Sequence, residues 1–133
     1  MISVLALSAC AGSGRHLKTG KTLEGEVVEA EGIAPYNAAD LPGTKAASLA
    51  AAQRSAVELV VGVYVNAKTR VDKSVAIEQS ILAKSGGYIK RYEILSQGQS
   101  GDWYKTRIRA LVSTKELRED LDSRGLLRQA SVG

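Results

Sequence analysis

The chain has 133 residues, a formal net charge of +4 and a sequence pI near 9.3. That length suits one domain able to bury a core without staples, and the single cysteine excludes an internal disulfide framework. The two signs of charge are interspersed and the basic excess is small, which argues against a nucleic-acid face, where clustered Lys and Arg are expected; with no phenylalanine and one tryptophan, the core must come from Ala, Val, Leu, Ile and Tyr.

The N-terminus carries the most specific local signal. Residues 1–9 are a short apolar run ending in small residues, followed by Cys10 in Leu7-Ser8-Ala9-Cys10. This is the pattern of a bacterial lipobox. It predicts residues 1–9 as the remnant of a lipoprotein signal, with its positive region upstream, and Cys10 as the lipidated residue. The alternative is a short strand ending in a buried free cysteine. The run is too short to span a bilayer, which takes about 20 apolar residues. Residues 10–21 hold three glycines and little apolar content, and read as the lipidated N-terminus and a flexible tether.

A single domain is expected over 22–125. Residues 22–34 read as a strand bent at Gly25 or Gly32, and 35–43 as a loop. Thr44 is placed to cap a helix running to Val61, with Gly62 as its stop. Leu49, Ala52, Ala56, Leu59, Val60 and Val63 form its apolar face. Residues 63–71 are ambiguous, with Val63, Val65 and Ala67 alternating. A second helix over 75–84 would turn Ile77, Ile81 and Leu82 inward and end at Ser85-Gly86-Gly87. A strand over 88–96, a polar turn over 97–102 and a return strand over 103–113 make a hairpin. On that last strand Tyr104, Thr106, Ile108, Ala110 and Val112 share one face, and Trp103, Lys105, Arg107 and Arg109 the other. Thr114 caps a short final helix with Leu117 and Leu121 inward and Gly125 at its end; 126–133 reads as a loose tail. The sum is α+β: an antiparallel sheet of about three strands with two helices on one face, in the order strand–helix–helix–strand–strand, plus a short C-terminal helix.

Catalytic patterns are weak. His16 is the sole histidine and falls in the tether, which disfavours a metal cluster or a histidine-based triad. Gly20-Lys21-Thr22 lacks the earlier glycine of a phosphate loop, where Arg15 stands. Lys18-Thr19-Gly20 has no accompanying Ser-x-x-Lys. Glu24, Glu26, Glu29 and Glu31 suggest a charged strand edge or, with a pocket and partners, a carboxylate hydrolase. Lys105, Arg107 and Arg109 beside Trp103 are either a solvated sheet face or a contact surface. Glu24 and Glu26, placed on one face of the first strand, are the expected partners of that stripe, within one subunit or between neighbours. Trp103, Lys105, Arg107, Arg109, Glu24 and Glu26 are therefore the candidate interface. Neither a metal nor another cofactor is expected.

The order of several segments resembles a known group. Ala30-Glu31-Gly32-Ile33-Ala34-Pro35 is similar to an Ala-x-Gly-x-Ala-Pro ending a first strand. The helix ending Ala52-Gln53-Arg54-Ser55-Ala56-Val57-Glu58-Leu59-Val60-Val61-Gly62 is similar to Ala-x-Arg-x-x-x-Glu-x-x-x-Gly. Val63-Tyr64-Val65, Val71, Ser85-Gly86-Gly87 and a hairpin with Tyr104 follow in order, after Cys10. Over about residues 10–120 the chain resembles small outer-membrane lipoproteins related to flagellar assembly protein P, the basal-disk or outer-ring lipoprotein, and to the N-terminal domain of flagellar assembly protein T. The longer C-terminal extension of some relatives is not matched. The resemblance implies a non-enzymatic lipoprotein on the periplasmic face of the outer membrane, with Ala11 after the cysteine favouring outer-membrane sorting. It implies a homo-oligomeric ring or disk with flagellar or other envelope proteins as partners. A monomeric envelope binding module, for peptidoglycan or another envelope protein, is the alternative.

Overall fold

A computed structural model describes residues 17–127. Its elements are β1 (Gly20–Lys21), β2 (Glu26–Pro35), a 3₁₀ turn (Ala38–Asp40), α1 (Leu41–Tyr64), α2 (Ala67–Asp72), α3 (Ser74–Ser80), a second 3₁₀ turn (Leu82–Lys84), the single turn α4 (Ser85–Tyr88), β3 (Ile89–Ser100), β4 (Trp103–Val112) and α5 (Thr114–Ser123). The four strands form one antiparallel sheet in the order β1-β2-β4-β3. The chain is thus a mixed helix-and-sheet domain, with one strand more than the sequence predicts.

Side-chain alternation along β2 and β4 decides where the core sits. Tyr104, Thr106, Ile108, Ala110 and Val112 are buried under the helices, as their period of two predicts. Ala30 and Ala34 of β2 join them on the same side. α1 lies across β2 and β4 and buries Ser48, Ala52, Ala56, Val57, Val60 and Val61. Gly32 makes that approach possible, because a Cβ there would overlap the Ala52 nitrogen and the Ser48 carbonyl oxygen. The helix backbone rests directly on the strand, and only hydrogen fits between. Ser48 Oγ and Thr106 Oγ1 meet at 2.6 Å inside this layer, so each buried hydroxyl has a partner. Ile77, Ile81 and Leu82 are buried in the core, as expected, and so are Leu117 and Leu121. The stretch Ala38–Tyr64 is long and apolar enough to cross a bilayer by length and composition, but its packed face makes it the core helix here.

Several boundaries differ from the sequence reading, each for a local reason. α1 begins before Thr44 because the Asp40 carboxylate accepts from the Gly43 amide at 3.0 Å and Pro42 sits in the first turn. Thr44 instead donates to the Asp40 carbonyl at 3.1 Å. Gly62 lies inside the helix rather than stopping it. Its missing side chain leaves room for the Arg70 guanidinium, 3.3 Å from where a Cβ would stand. Leu59 and Val63, predicted inward, are exposed, while Ser48 and Val57 are buried. Ala and Val surround this helix, so hydrophobicity alone does not fix its rotation. The ambiguous stretch after it contains α2, capped by the Asn66 side chain accepting from Thr69 N at 2.8 Å. Ser85-Gly86-Gly87 forms the helical turn α4 instead of ending a helix. β3 runs on through Ser100, so the hairpin turn shrinks to Gly101-Asp102, where Gly101 takes a φ of +62°. Ser113, not Thr114, caps α5.

Both predicted ends of the domain also move outward. Leu17 is buried with Val27 and Leu111, and Gly20 and Lys21 pair with β2, so 17–21 belong to the domain and not to a tether. Two paired residues are too few to show a strand period, which is why composition alone reads them as linker. At the other end Leu126 is buried in the main core, its amide donating to the Leu121 carbonyl at 2.8 Å. It is a core residue rather than part of a loose tail. Cys10 and His16, with residues 1–15 and 128–133, lie outside the described residues.

Candidate functional site

The face of the sheet away from the helices carries the densest set of charged side chains. On β4, alternation turns Trp103, Lys105, Arg107 and Arg109 to this side. On β2, Glu29 stands directly opposite Arg109 and Glu31 opposite Arg107. Opposite residues of an antiparallel pair share a face, which sets up cross-strand ion pairs. Arg107 Nη2 donates to Glu29 Oε1 at 2.8 Å, and Arg109 donates to Glu29 Oε2 through Nη2 at 2.8 Å and Nε at 3.1 Å. One carboxylate thus receives two guanidinium groups. Lys105 lies 3.9 Å from Glu31, and Arg109 Nη1 lies 3.6 Å from Glu93 on β3. The Arg109 guanidinium, and next to it that of Arg107, hold the Glu29 carboxyl below its ordinary value of 4.5.

Arg109 does more than neutralise a charge. Its Nη1 also donates to the Leu17 carbonyl at 3.0 Å, and the Leu17 amide donates to Glu93 Oε2 at 3.2 Å. The Leu17 side chain packs on Val27 and Leu111. The start of the described chain is therefore clamped across the outer sheet face by an arginine and a glutamate from two strands, over a small apolar patch. No local pattern marks this contact, since Leu17 and Arg109 are 92 residues apart in sequence.

The stripe Trp103, Lys105, Arg107 and Arg109 is assembled as predicted, but its expected carboxylate partners are not the ones it has. Glu24 precedes β2, in a turn where the Thr22 hydroxyl donates to the Gly25 carbonyl at 3.0 Å. It meets Arg91 of β3 at 3.2 Å. Glu26 stands opposite Val112, on the helix side of the sheet, and its Oε1 is buried without a hydrogen bond. The pairing of Glu24 and Glu26 with the stripe is thus corrected to Glu29 and Glu31. The reason is register: the strand starts at Glu26 after the turn, and residues of odd number from there face outward.

A second polar cluster joins α4 to α5. The Tyr88 hydroxyl donates to Asp120 Oδ2, and Lys84 Nζ lies 3.4 Å from the same oxygen. Burial, then the neighbouring Asp120, pushes the Tyr88 hydroxyl well above its ordinary value. The Tyr88 hydrogen bond, with help from Lys84, holds Asp120 low. These groups line an open groove of about 310 Å³ with Gly87, Glu116 and Glu119. Tyr88 and Asp120 satisfy one another, and the cluster ties the last helix to the turn before β3. Among the described residues no three His, Cys, Asp or Glu side chains are grouped to hold a metal ion.

Compared with protein-family models, with curated proteins and with solved structures, the chain matches none. The chemistry of the site must therefore be argued from its geometry. The outer face offers paired charges, one exposed aromatic ring at Trp103 and a clamped N-terminal segment. The carboxylates Glu29 and Glu31 stand beside the Lys105, Arg107 and Arg109 side chains, and with Glu58 they border an open groove.

Proposed function

We propose that this chain is a non-enzymatic lipoprotein, held at the periplasmic face of the outer membrane by an acylated Cys10, which assembles laterally into a ring or disk around the bacterial flagellar motor. The clamp on Leu17 is the observation that carries the reading. Six residues, 11–16, separate Leu17 from Cys10, so at roughly 3.3–3.6 Å per residue the link spans about 25 Å at most. An acyl anchor at Cys10 would keep the outer sheet face, with Trp103, Lys105, Arg107 and Arg109, close to the bilayer. Stable attachment takes two or more acyl signals, and confinement near a surface raises the effective concentration for weak lateral contacts. The β–α–β–β order of β2, α1, β3 and β4 is compatible with the resemblance to the flagellar lipoproteins, and other flagellar or envelope proteins are the proposed partners.

The test is the intact mass of the full protein extracted from membranes. A chain beginning at Cys10 with acyl groups is expected, with loss of membrane retention in Cys10→Ser. A soluble chain beginning at unmodified Met1 would defeat the proposal. A second reading, the monomeric envelope binding module, draws on the internal neutralisation of Arg107 and Arg109 by Glu29, which leaves the stripe less charge to offer a neighbour. Mass photometry showing monomers alone, with normal swimming after deletion, would favour it.

A further inference from the structure

Among the described residues the sheet ends in two open strand edges. At one end β3 spans 12 residues and bonds to β4 on one side only. At the other, β1 covers β2 only at Glu26 and Val27, so β2 from Val28 to Pro35 has no strand beyond it among the described residues. Open edges present unpaired backbone groups to an incoming strand. Each of these edges also carries apolar surface on the same side of the sheet. Tyr92 and Ile94 stand opposite Ala110 and Ile108, which places them on the helix side. They are nevertheless 42% and 44% exposed, because α1 lies over β2 and β4 and leaves β3 bare. At the far edge α1 turns Leu59, 52% exposed, toward a groove that it forms with Glu29, Ala30 and Glu31 of β2. Glu58 and Arg107 also line that groove, so carboxylates outnumber cations there. The exposed start of β3 carries Lys90 and Arg91, which are already paired within the chain, with Glu116 and Glu24.

We propose that a second copy of this chain docks its β3 edge onto the β2 edge, alongside α1, so that Tyr92 and Ile94 of the neighbour cover Leu59 and the sheet continues from copy to copy. The proposal deepens the lateral-assembly reading and rests on it. Its direction follows from the topology. β2, β4 and β3 alternate, so β2 and β3 run the same way, and copies rotated about an axis along the strands join as a parallel pair. The two surfaces differ, so the contact is heterologous and propagates: it closes into a ring or extends as an open array. Bulges at Lys90 and Leu95 divide the β3 edge into the regular stretches Arg91–Ile94 and Ser96–Ser100. Bulges blunt an edge against indiscriminate pairing, which leaves the apolar match to select the partner.

The experiment uses the full chain in detergent, with association followed by sedimentation velocity and mass photometry as protein concentration rises. One variant, Tyr92→Lys with Ile94→Lys, blocks the β3 edge. Another, Leu59→Arg, blocks the β2 edge. All three positions are exposed, and unchanged circular dichroism and melting temperature confirm the fold. Each variant alone is expected to associate at least about tenfold more weakly than the wild type, a loss of roughly 1.4 kcal/mol. An equimolar mixture should recover 1:1 heterodimers that grow no further, since each pair retains one intact interface. Wild-type oligomers that survive both substitutions overturn the edge pairing while leaving lateral assembly intact. Loss of assembly in the β3 variant with dimers kept in Leu59→Arg overturns it in favour of β3 pairing with itself. A mixture that stays monomeric also overturns it. A wild type that is monomeric at every concentration, in detergent and on vesicles, removes the assembly reading together with the proposal.

Discussion

The two faces of the sheet are built from the same two strands and held by different forces. On the helix side, Ile108, Ala110 and Val112 of β4 pack with Ala30 and α1, and the buried hydroxyls of Ser48 and Thr106 bond one another within that layer. On the other side, Arg107 and Arg109 meet Glu29 in partial contact with solvent, and one small apolar cluster covers Val27 and Leu111. Burial energy scales with area and involves no titrating group. Exposed ion pairs are individually weak and screened. The contrast teaches that the helix side sets the stability of the domain, while the outer side fixes the place of the N-terminal segment at low energetic weight.

The contrast is sharpest in substitutions at neighbouring positions of one strand. Ile108→Ala should cost about 3–4 kcal/mol, for a fully buried side chain whose cavity cannot collapse against a sheet. Gly32→Val forces a branched side chain into the α1 backbone and should cost about 3 kcal/mol or prevent folding. Urea denaturation reads both, and a Gly32→Val midpoint equal to wild type would show that α1 does not rest on β2. Thr106→Val should cost about 1 kcal/mol, because Ser48 loses this partner but keeps the Lys45 carbonyl at 3.1 Å. Arg109→Met, one position from Ile108, should change global stability by only about 1 kcal/mol. It should, however, release Leu17, seen as faster amide exchange and proteolysis before β1. A global loss as large as that of Ile108→Ala would erase the distinction between the faces.

The smallest expected effect is in pH dependence. The carboxyl of Glu29 is held low in the fold, so it binds a proton more readily when unfolded. The stability it contributes is present above its ordinary value of 4.5 and is lost as pH falls through the lowered folded value. Asp120, held low by Tyr88, acts in the same direction. Glu29→Gln should therefore flatten the acid limb of a melting-temperature profile below about pH 4.5, with wild type and variant converging at the acid end. Parallel profiles would mean that Glu29 is not held by the two arginines in solution.

The sequence determined what depends on short-range period and punctuation. The alternation of Trp103 to Val112 assigned both faces of β4, including the outward set Trp103, Lys105, Arg107 and Arg109, because each residue of a strand points opposite to the last. Ile77, Ile81, Leu82, Leu117 and Leu121 were legible as core for a similar reason, at helical spacing. Tertiary structure decided the rest. Which glutamates meet the arginine stripe depends on the register of β2 against β4, and a shift of one residue reverses every side chain. Hence Glu29 and Glu31 stand where Glu24 and Glu26 were expected. The rotation of α1, whose apolar residues are not confined to one face, was decided by packing, with Gly32 letting the helix backbone at Ser48 and Ala52 rest on β2. The strand β1 is held by pairing with β2, and the clamp on Leu17 is made by Arg109 and Glu93 across 92 and 76 residues of chain, a contact that no local pattern encodes.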